Sequence, residues 1–254
     1  MTGALARPAG IAMSANGKVA IVAAMEREIR PLVRRWTRNA RDYQGRSFTF
    51  FEQGCAVAVC AGIGPEAARR ACEAIIGLYA PDEVLSVGLA GALDHSLPVG
   101  QVFTPRTVID AKDGSRTDMY VGNGILVSFS SVADPEQKAK LAKAYGAIAV
   151  DMEAAAVARG AETHGLRFSA TKAISDAADF PLPPMDRFVT HDGRFRTGAF
   201  AGFIVLRPWL WVRVLRLARN SSRASVNLCA ALDRYNDRSQ ASQPELHPSP
   251  QGNT

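Results

Sequence analysis

Residues 147–183 hold the feature that most narrows the folds open to this chain. An apolar strand, AIAV, leads into a helix-forming stretch, DMEAAAVARGAETHG, then a second apolar strand, RFSATKAI, and an acidic break, SDAAD. A strand, a helix and another strand in that order make a crossover unit of a parallel sheet. The order puts Glu153 at the strand-to-helix turn and Asp176 just past the C-terminal end of the second strand. Both positions fall on the sheet edge where open α/β folds bind ligands. The strands are too apolar to need a carboxylate there for folding, so two acids at one rim point to a polar, hydroxyl-rich substrate. The plainer role for Asp176 is a helix cap.

The rest of the chain supplies more units of the same kind. Residues 18–24 form a continuous apolar run that reads as a buried strand. In the helix that follows, Ile29, Leu32, Val33 and Trp36 recur at helical spacing, so Glu26 and Glu28 sit in its first turn. Both acids complement the helix dipole. Glu28, standing on the rim, equally admits a functional role. Residues 46–52 and 55–61 pair around a turn at Gln53 and Gly54. The second strand runs into Gly62, Ile63, Gly64 and Pro65 ahead of a helix, a turn whose free amides could hold an anion. Residues 82–87 form a strand ending in small residues, among them Ala90 and Gly91, which leave room for a ligand ring or sugar against bare backbone. After an extended run over 99–109 and a polar loop over 110–124, a strand at 125–129 precedes a helix capped by Asp134 with Pro135 at its first position.

With 254 residues, 47% of them apolar and 21% charged, the chain can bury one α/β domain, and wholesale disorder is not expected. Residues 1–17 read as a loose tail, because Pro8, Gly10, Ser14 and Asn16 break the run a secretory signal needs. The domain proper spans 18–235, with an irregular flap after Asp179, and 236–254 is a polar tail. Cys55, Cys60, Cys72 and Cys229 form no CxxC pair, and no histidine stands at ligand spacing, so free thiols in a reducing cytoplasm are expected and no metal.

The net charge of +6 is unevenly placed: from Arg187 to Arg238 there are ten arginines against Asp192, Asp233 and Asp237. The stretch 197–235 reads as helical, broken at Pro208, with Arg213, Arg216, Arg219 and Arg223 on one side and Phe200, Phe203, Trp209 and Trp211 nearby. Such a helix suits peripheral contact with the inner face of a membrane, and it equally suits packing across the sheet with solvated arginines. No nucleic-acid module accompanies the charge, so nucleic acid is not expected as a partner.

Four motifs in sequence order, AIVAAMEREI, AGIGPEAA, SVGLAGAL, and VDMEAAAVA followed by KAISDAAD, resemble the nucleoside phosphorylase and nucleosidase superfamily over residues 18–183. The resemblance implies an α/β fold with a mostly parallel mixed sheet, partly closed and flanked by helices, here carrying a C-terminal helical extension. It implies cleavage of the bond between ribose and a purine, work that needs a proton donor for the base, acceptors for the sugar hydroxyls and a nucleophile below the ring.

By that resemblance Asp176 protonates the purine with Ser175 orienting it, Glu153 accepts the ribose hydroxyls, Met152 lies against the sugar, and Glu28 matches the acid that activates water. The resemblance does not say which residues meet the adenine edge; Val132 and Phe180 are the candidates. Leu89 stands where the nucleosidases carry a serine, and Lys172 where they carry arginine. Phosphorolysis is therefore expected, with no cofactor, inorganic phosphate as co-substrate, and Gly62, Gly64 and Lys172 as its anchors; hydrolysis of the methylthioadenosine or adenosylhomocysteine type is the alternative. The hopanoid-associated branch is the nearest in pattern, which implies a lipid-linked 5'-modified adenosine, adenosylhopane, as substrate. A homo-oligomer is also expected.

Overall fold

The computed structural model describes residues 17–190 and 192–241. The N-terminal tail expected over 1–17 lies outside the described residues but for its last member. The chain begins with β1 (Val19–Ala23), buried at every position, and α1 (Glu26–Val33). Next come β2 (Thr37–Tyr43), β3 (Arg46–Gln53) and β4 (Ala56–Cys60), then α2 (Pro65–Tyr79) and the ten-residue β5 (Glu83–Ala92). Short strands β6 (Val102–Phe103), β7 (Thr107–Asp110), β8 (Arg116–Asp118) and β9 (Ile125–Ser128) follow. Then come α3 (Pro135–Tyr145), β10 (Ala149–Asp151), α4 (Ala154–Thr163) and β11 (Arg167–Asp176); β10 is parallel to β9 and antiparallel to the end of β5, whereas β11 is parallel to β5, so the strands flanking α4 do not make the parallel crossover that their order suggests. The chain closes with α5 (Thr197–Val205) and α6 (Pro208–Ala241).

The strands join in one mixed sheet in the order β2-β3-β4-β1-β5-β10-β9-β7-β8, with β11 pairing β5 and β6. Its centre is parallel, β4 to β1 to β5 to β11, while the β2–β3–β4 meander and the β7–β8 hairpin are antiparallel. Three differences from the sequence expectation have physical causes. β2, TRNARDY, is a mostly exposed edge strand and so lacks the apolar alternation by which a half-buried strand is recognised. β5 continues through Gly88–Ala92, because β11 pairs with it from Glu83 to Gly91 and supplies the ladder that small residues alone do not promote. α6 continues to Ala241, past the boundary expected at 236, through a run containing the good helix formers Arg, Gln and Ala.

Side-chain alternation in β1 divides the core into two layers. Val19, Ile21 and Ala23 face α1 and α6, joining Ile29, Leu32, Ala224 and Leu228. Ala20 and Val22 face the other way, against Ala68, Ala71 and Ile75 of α2 and Val157 and Ala161 of α4. Each fully buried valine or isoleucine contributes about 1.5–3 kcal/mol, so both layers are needed to hold the parallel centre. Near the end of β11 the register with β5 shifts between Ile174 and Asp176: Ile174 is opposite Ala90 and Asp176 is opposite Gly91, leaving Ser175 as the extra residue of a bulge.

α2 and α4 touch closely, since a Cβ on Gly160 would meet the Cys72 sulfur at 2.8 Å. Replacing helical glycine by alanine gains about 1 kcal/mol of helix propensity, whereas overpacking costs about 1–3 kcal/mol. Gly160→Ala is therefore destabilising in the native chain and stabilising in a Cys72→Ala background, where only the Cβ at 3.5 Å remains. Denaturant midpoints of the four proteins check the reversal of sign, and equal effects in both backgrounds would refute the contact.

Candidate active site

Three elements, α1, β10 and β11, deliver charged side chains to one end of the sheet. α1 begins where β1 ends, and its first turn carries Glu28 inward, 4% exposed, with the Glu28 carbonyl 3.7 Å from the Cys229 sulfur of α6. β10 ends on Asp151, whose Oδ2 accepts the Ala154 amide at 2.9 Å while Oδ1 accepts the Ser128 hydroxyl at 2.5 Å. Ser128 Oγ in turn accepts the Ala155 amide at 2.9 Å. Two side chains thus cap the first turn of α4 and fix the turn that bears Glu153. Glu153 accepts the Gly64 amide at 2.8 Å through Oε1. β11 brings Lys172, whose Nζ lies 2.8 Å from Asp151 Oδ2 and 3.1 Å from Ser86 Oγ.

The charges in this cluster do not balance. Burial pushes the Glu28 carboxyl up to about 8, Glu153 adds to the rise, and Lys172 and Arg27 oppose it. Glu28 Oε2 is buried without a hydrogen-bond partner. Burial likewise raises Glu153 to about 7, with Asp151 adding, against Lys172 and the amides of Gly64 and Met152. Burial alone would lower the Lys172 ammonium, but Asp151, Glu153 and Glu28 more than offset it and hold the group protonated.

A second buried pair stands beside the first. Asp176, 4% exposed, accepts the Ser175 hydroxyl at 2.6 Å through Oδ1, and its Oδ2 is ion-paired to Lys138 Nζ. Lys138 also donates to the Ala177 carbonyl at 2.7 Å. The glycines of β5 make space for both clusters. A Cβ at Gly88 would lie 2.9 Å from Glu28 Oε2, and one at Gly91 would lie 3.0 Å from Asp176 Oδ2 and 3.2 Å from Lys138 Cε. Gly91, expected to admit a ligand, thus also admits two side chains of the protein itself.

Glu28, Met152, Glu153, Ser175 and Asp176 line one cavity of about 1060 Å³, together with Ala90, Gly91 and Val132. The flap closes over it: the Ile63 amide donates to the Gly193 carbonyl at 2.8 Å, and the Val132 amide donates to Asp186 Oδ1 at 2.8 Å. Four expected residues do not line it. Phe180 is packed in the interior, and Leu182 and Met185 take the wall instead. Gly62 donates its amide to the Ala24 carbonyl and Gly64 to Glu153, while Lys172 is held by Asp151 and Ser86. The two glycine amides are thus engaged within the protein, and two of the three Lys172 N–H donors are directed at Asp151 and Ser86.

Sequence reasoning missed Asp151, Ser128 and Lys138. One signal for Lys138 was present: it stands three residues before Leu141, in phase with the apolar stripe of α3, where a lysine intended for solvent would not be.

Comparison with known proteins adds the following. A family profile described as the phosphorylase superfamily matches residues 18–136 and 120–193. The 5'-methylthioadenosine/S-adenosylhomocysteine nucleosidase of Staphylococcus carnosus is 29% identical over 202 residues, covering 63% of this chain and 87% of the relative. The nucleosidase of that name from Neisseria meningitidis, solved with methylthio-immucillin-A, superposes with a TM-score of 0.65 at 22% identity, over 87% of this chain and 99% of its own. Futalosine hydrolase of Helicobacter pylori gives a TM-score of 0.65 at 17% identity, over 87% and 97%. The two superpositions establish the shared fold.

Removing either member of the second pair should unbalance a buried charge. Lys138→Met leaves the Asp176 carboxylate without its cation and should lower stability by about 3–5 kcal/mol, with much of the loss recovered in Lys138→Met/Asp176→Asn; urea unfolding of the three proteins measures this. Folded Glu28 keeps its proton up to about pH 8, whereas the unfolded chain releases it near the ordinary value of 4.5. Between those values the folded state binds more protons, so stability falls as pH rises, by on the order of 1 kcal/mol per pH unit. Glu28→Gln removes that slope, and parallel stability curves for wild type and variant from pH 5 to pH 9 would contradict the assignment.

Proposed function

The chain belongs to the phosphorylase superfamily, and from that premise we propose that it hydrolyses the N-glycosidic bond of an adenosine-type nucleoside, releasing adenine and the free sugar. The observation that carries this reading is Glu28, a buried carboxyl facing the cavity with one oxygen unpartnered and a pKa raised to about 8. A general base works best when poised near the working pH. The names of the curated relatives, which are nucleosidases, favour water over phosphate as the acceptor. So does the engagement of Gly62, Gly64 and Lys172 within the protein.

In this mechanism the bond from C1' to N9 breaks with its electron pair leaving on the purine. Asp176, oriented by Ser175, passes a proton from the Lys138 ammonium to ring nitrogen N7, which leaves Lys138 as the neutral amine and Asp176 as the carboxylate. Glu153 accepts the 2'- and 3'-hydroxyls beside the half-buried Met152. Water attacks C1' and its proton passes to Glu28, so the sugar leaves hydroxylated and the charges balance. Val132 borders the base. The remaining wall is largely apolar, with Pro31, Val189, Phe195, Phe200 and Leu217. That wall suits a nucleoside with an apolar 5' substituent. A thioalkyl group and the polycyclic lipid implied by the sequence resemblance are both of this kind.

The test is product analysis by mass spectrometry across a panel of 5'-substituted adenosines, with and without phosphate. Adenine release at equal rates in phosphate-free buffer, with free sugar as co-product, is expected; sugar 1-phosphate and a strict phosphate requirement would overturn hydrolysis. kcat/KM should rise with pH toward about 8 as Glu28 ionises. Glu28→Gln and Asp176→Asn should each lose about 10²–10⁴ in kcat.

A further inference from the structure

The elbow between α5 and α6 leaves a patch that the proposed chemistry does not use. Val205, Leu206, Trp209, Val212 and Leu215 are 58–76% exposed, an unusual concentration of large apolar side chains on a surface. The patch is held in a fixed shape: Trp211 donates its indole N–H to the Ile204 carbonyl at 2.9 Å, and the Arg207 guanidinium lies 3.7 Å from the Phe203 ring centre. Along α6 the faces separate cleanly. Leu210, Val214, Leu217 and Ser221 turn toward the core and cavity. Trp209, Val212, Arg216, Arg219 and Arg223, at helical spacing, turn outward and are exposed.

The charge around the patch has one sign. From residue 193 to 232 there are seven arginines and not one aspartate or glutamate. We propose that this face docks on an anionic phospholipid bilayer, with Leu206, Trp209, Val212 and Leu215 entering the headgroup region and Arg213, Arg216, Arg219 and Arg223 meeting lipid phosphates. Indole rings favour that boundary, and a basic amphipathic helix lies in its plane. No helix among the described residues is long and apolar enough to cross a membrane, so the contact is peripheral. Charge complementarity selects this partner over a second copy of the chain, since a two-fold contact would set the arginine rows of two protomers against each other.

Sedimentation of the full chain with vesicles tests the proposal. At low ionic strength the protein should pellet with phosphatidylglycerol-containing vesicles and not with phosphatidylcholine alone, should be released by high salt, and should show a blue shift of tryptophan emission on binding. Arg216→Gln/Arg219→Gln should weaken partitioning about fivefold per arginine, and Trp209→Ser/Leu215→Ser should abolish the blue shift. Both double variants should cleave a soluble nucleoside at the native rate, which separates this proposal from the fate of the proposed reaction. Three results would overturn it: no pelleting with anionic vesicles at low salt, a concentration-dependent dimer dissolved by Trp209→Ser/Leu215→Ser, or pelleting unchanged in both double variants.

Discussion

Three carboxylates gathered around one buried lysine, Glu28 and Asp151 buried and Glu153 partly so, are the constraint on which the rest of this structure depends. Asp151 takes the ammonium of Lys172 directly and accepts two further hydrogen bonds. Glu28 and Glu153 share what is left of that positive field, which does not suffice for both, and burial drives each upward. The imbalance is what makes Glu28 capable of taking a proton near neutrality. A second lysine added nearby would relieve the cluster and at the same time remove its basicity.

The same economy governs β5. Its centre lies between the two charged clusters, and Gly88 and Gly91 are bare where Glu28 and the Asp176–Lys138 pair come against the backbone. A strand rich in glycine and alanine is poor at forming by itself, and here it is secured from both sides, by β1 and by a long parallel ladder with β11. Function at this end of the sheet is thus compatible with stability only because the other end is packed with Val84, Leu85 and Val87 in two apolar layers.

Much of the fold was legible in the sequence because its signals are local. The apolar run of β1, Pro65 and Pro135 at helix starts, the Asp134 cap and the break at Pro208 each act within a few residues. At the site, the acids Glu28, Glu153 and Asp176 could be placed from strand ends alone. Partnerships across long separations could not. Lys138 finds Asp176 across 38 residues, and the Gly64 amide finds Glu153 across 89. The glycine loop looked like an anion cradle because its donors are visible in sequence, whereas their acceptors, the Ala24 and Gly193 carbonyls and Glu153, are supplied by the fold. Phe180 is packed in the interior for a related reason: which residues of the proline-rich flap face the cavity depends on how it docks against Ile63 and Val132, and no periodicity records that.

The extra residue in β11 sets a rule about length rather than about residue type. Ser175 shifts the strand's alternation by one step just before Asp176, so the acid takes the side of the sheet that an odd-numbered neighbour would otherwise have had. Deleting Ile174 would keep both Ser175 and Asp176 yet turn the carboxylate to the other side of the sheet. Over this stretch the number of residues constrains the chain as firmly as their identity does.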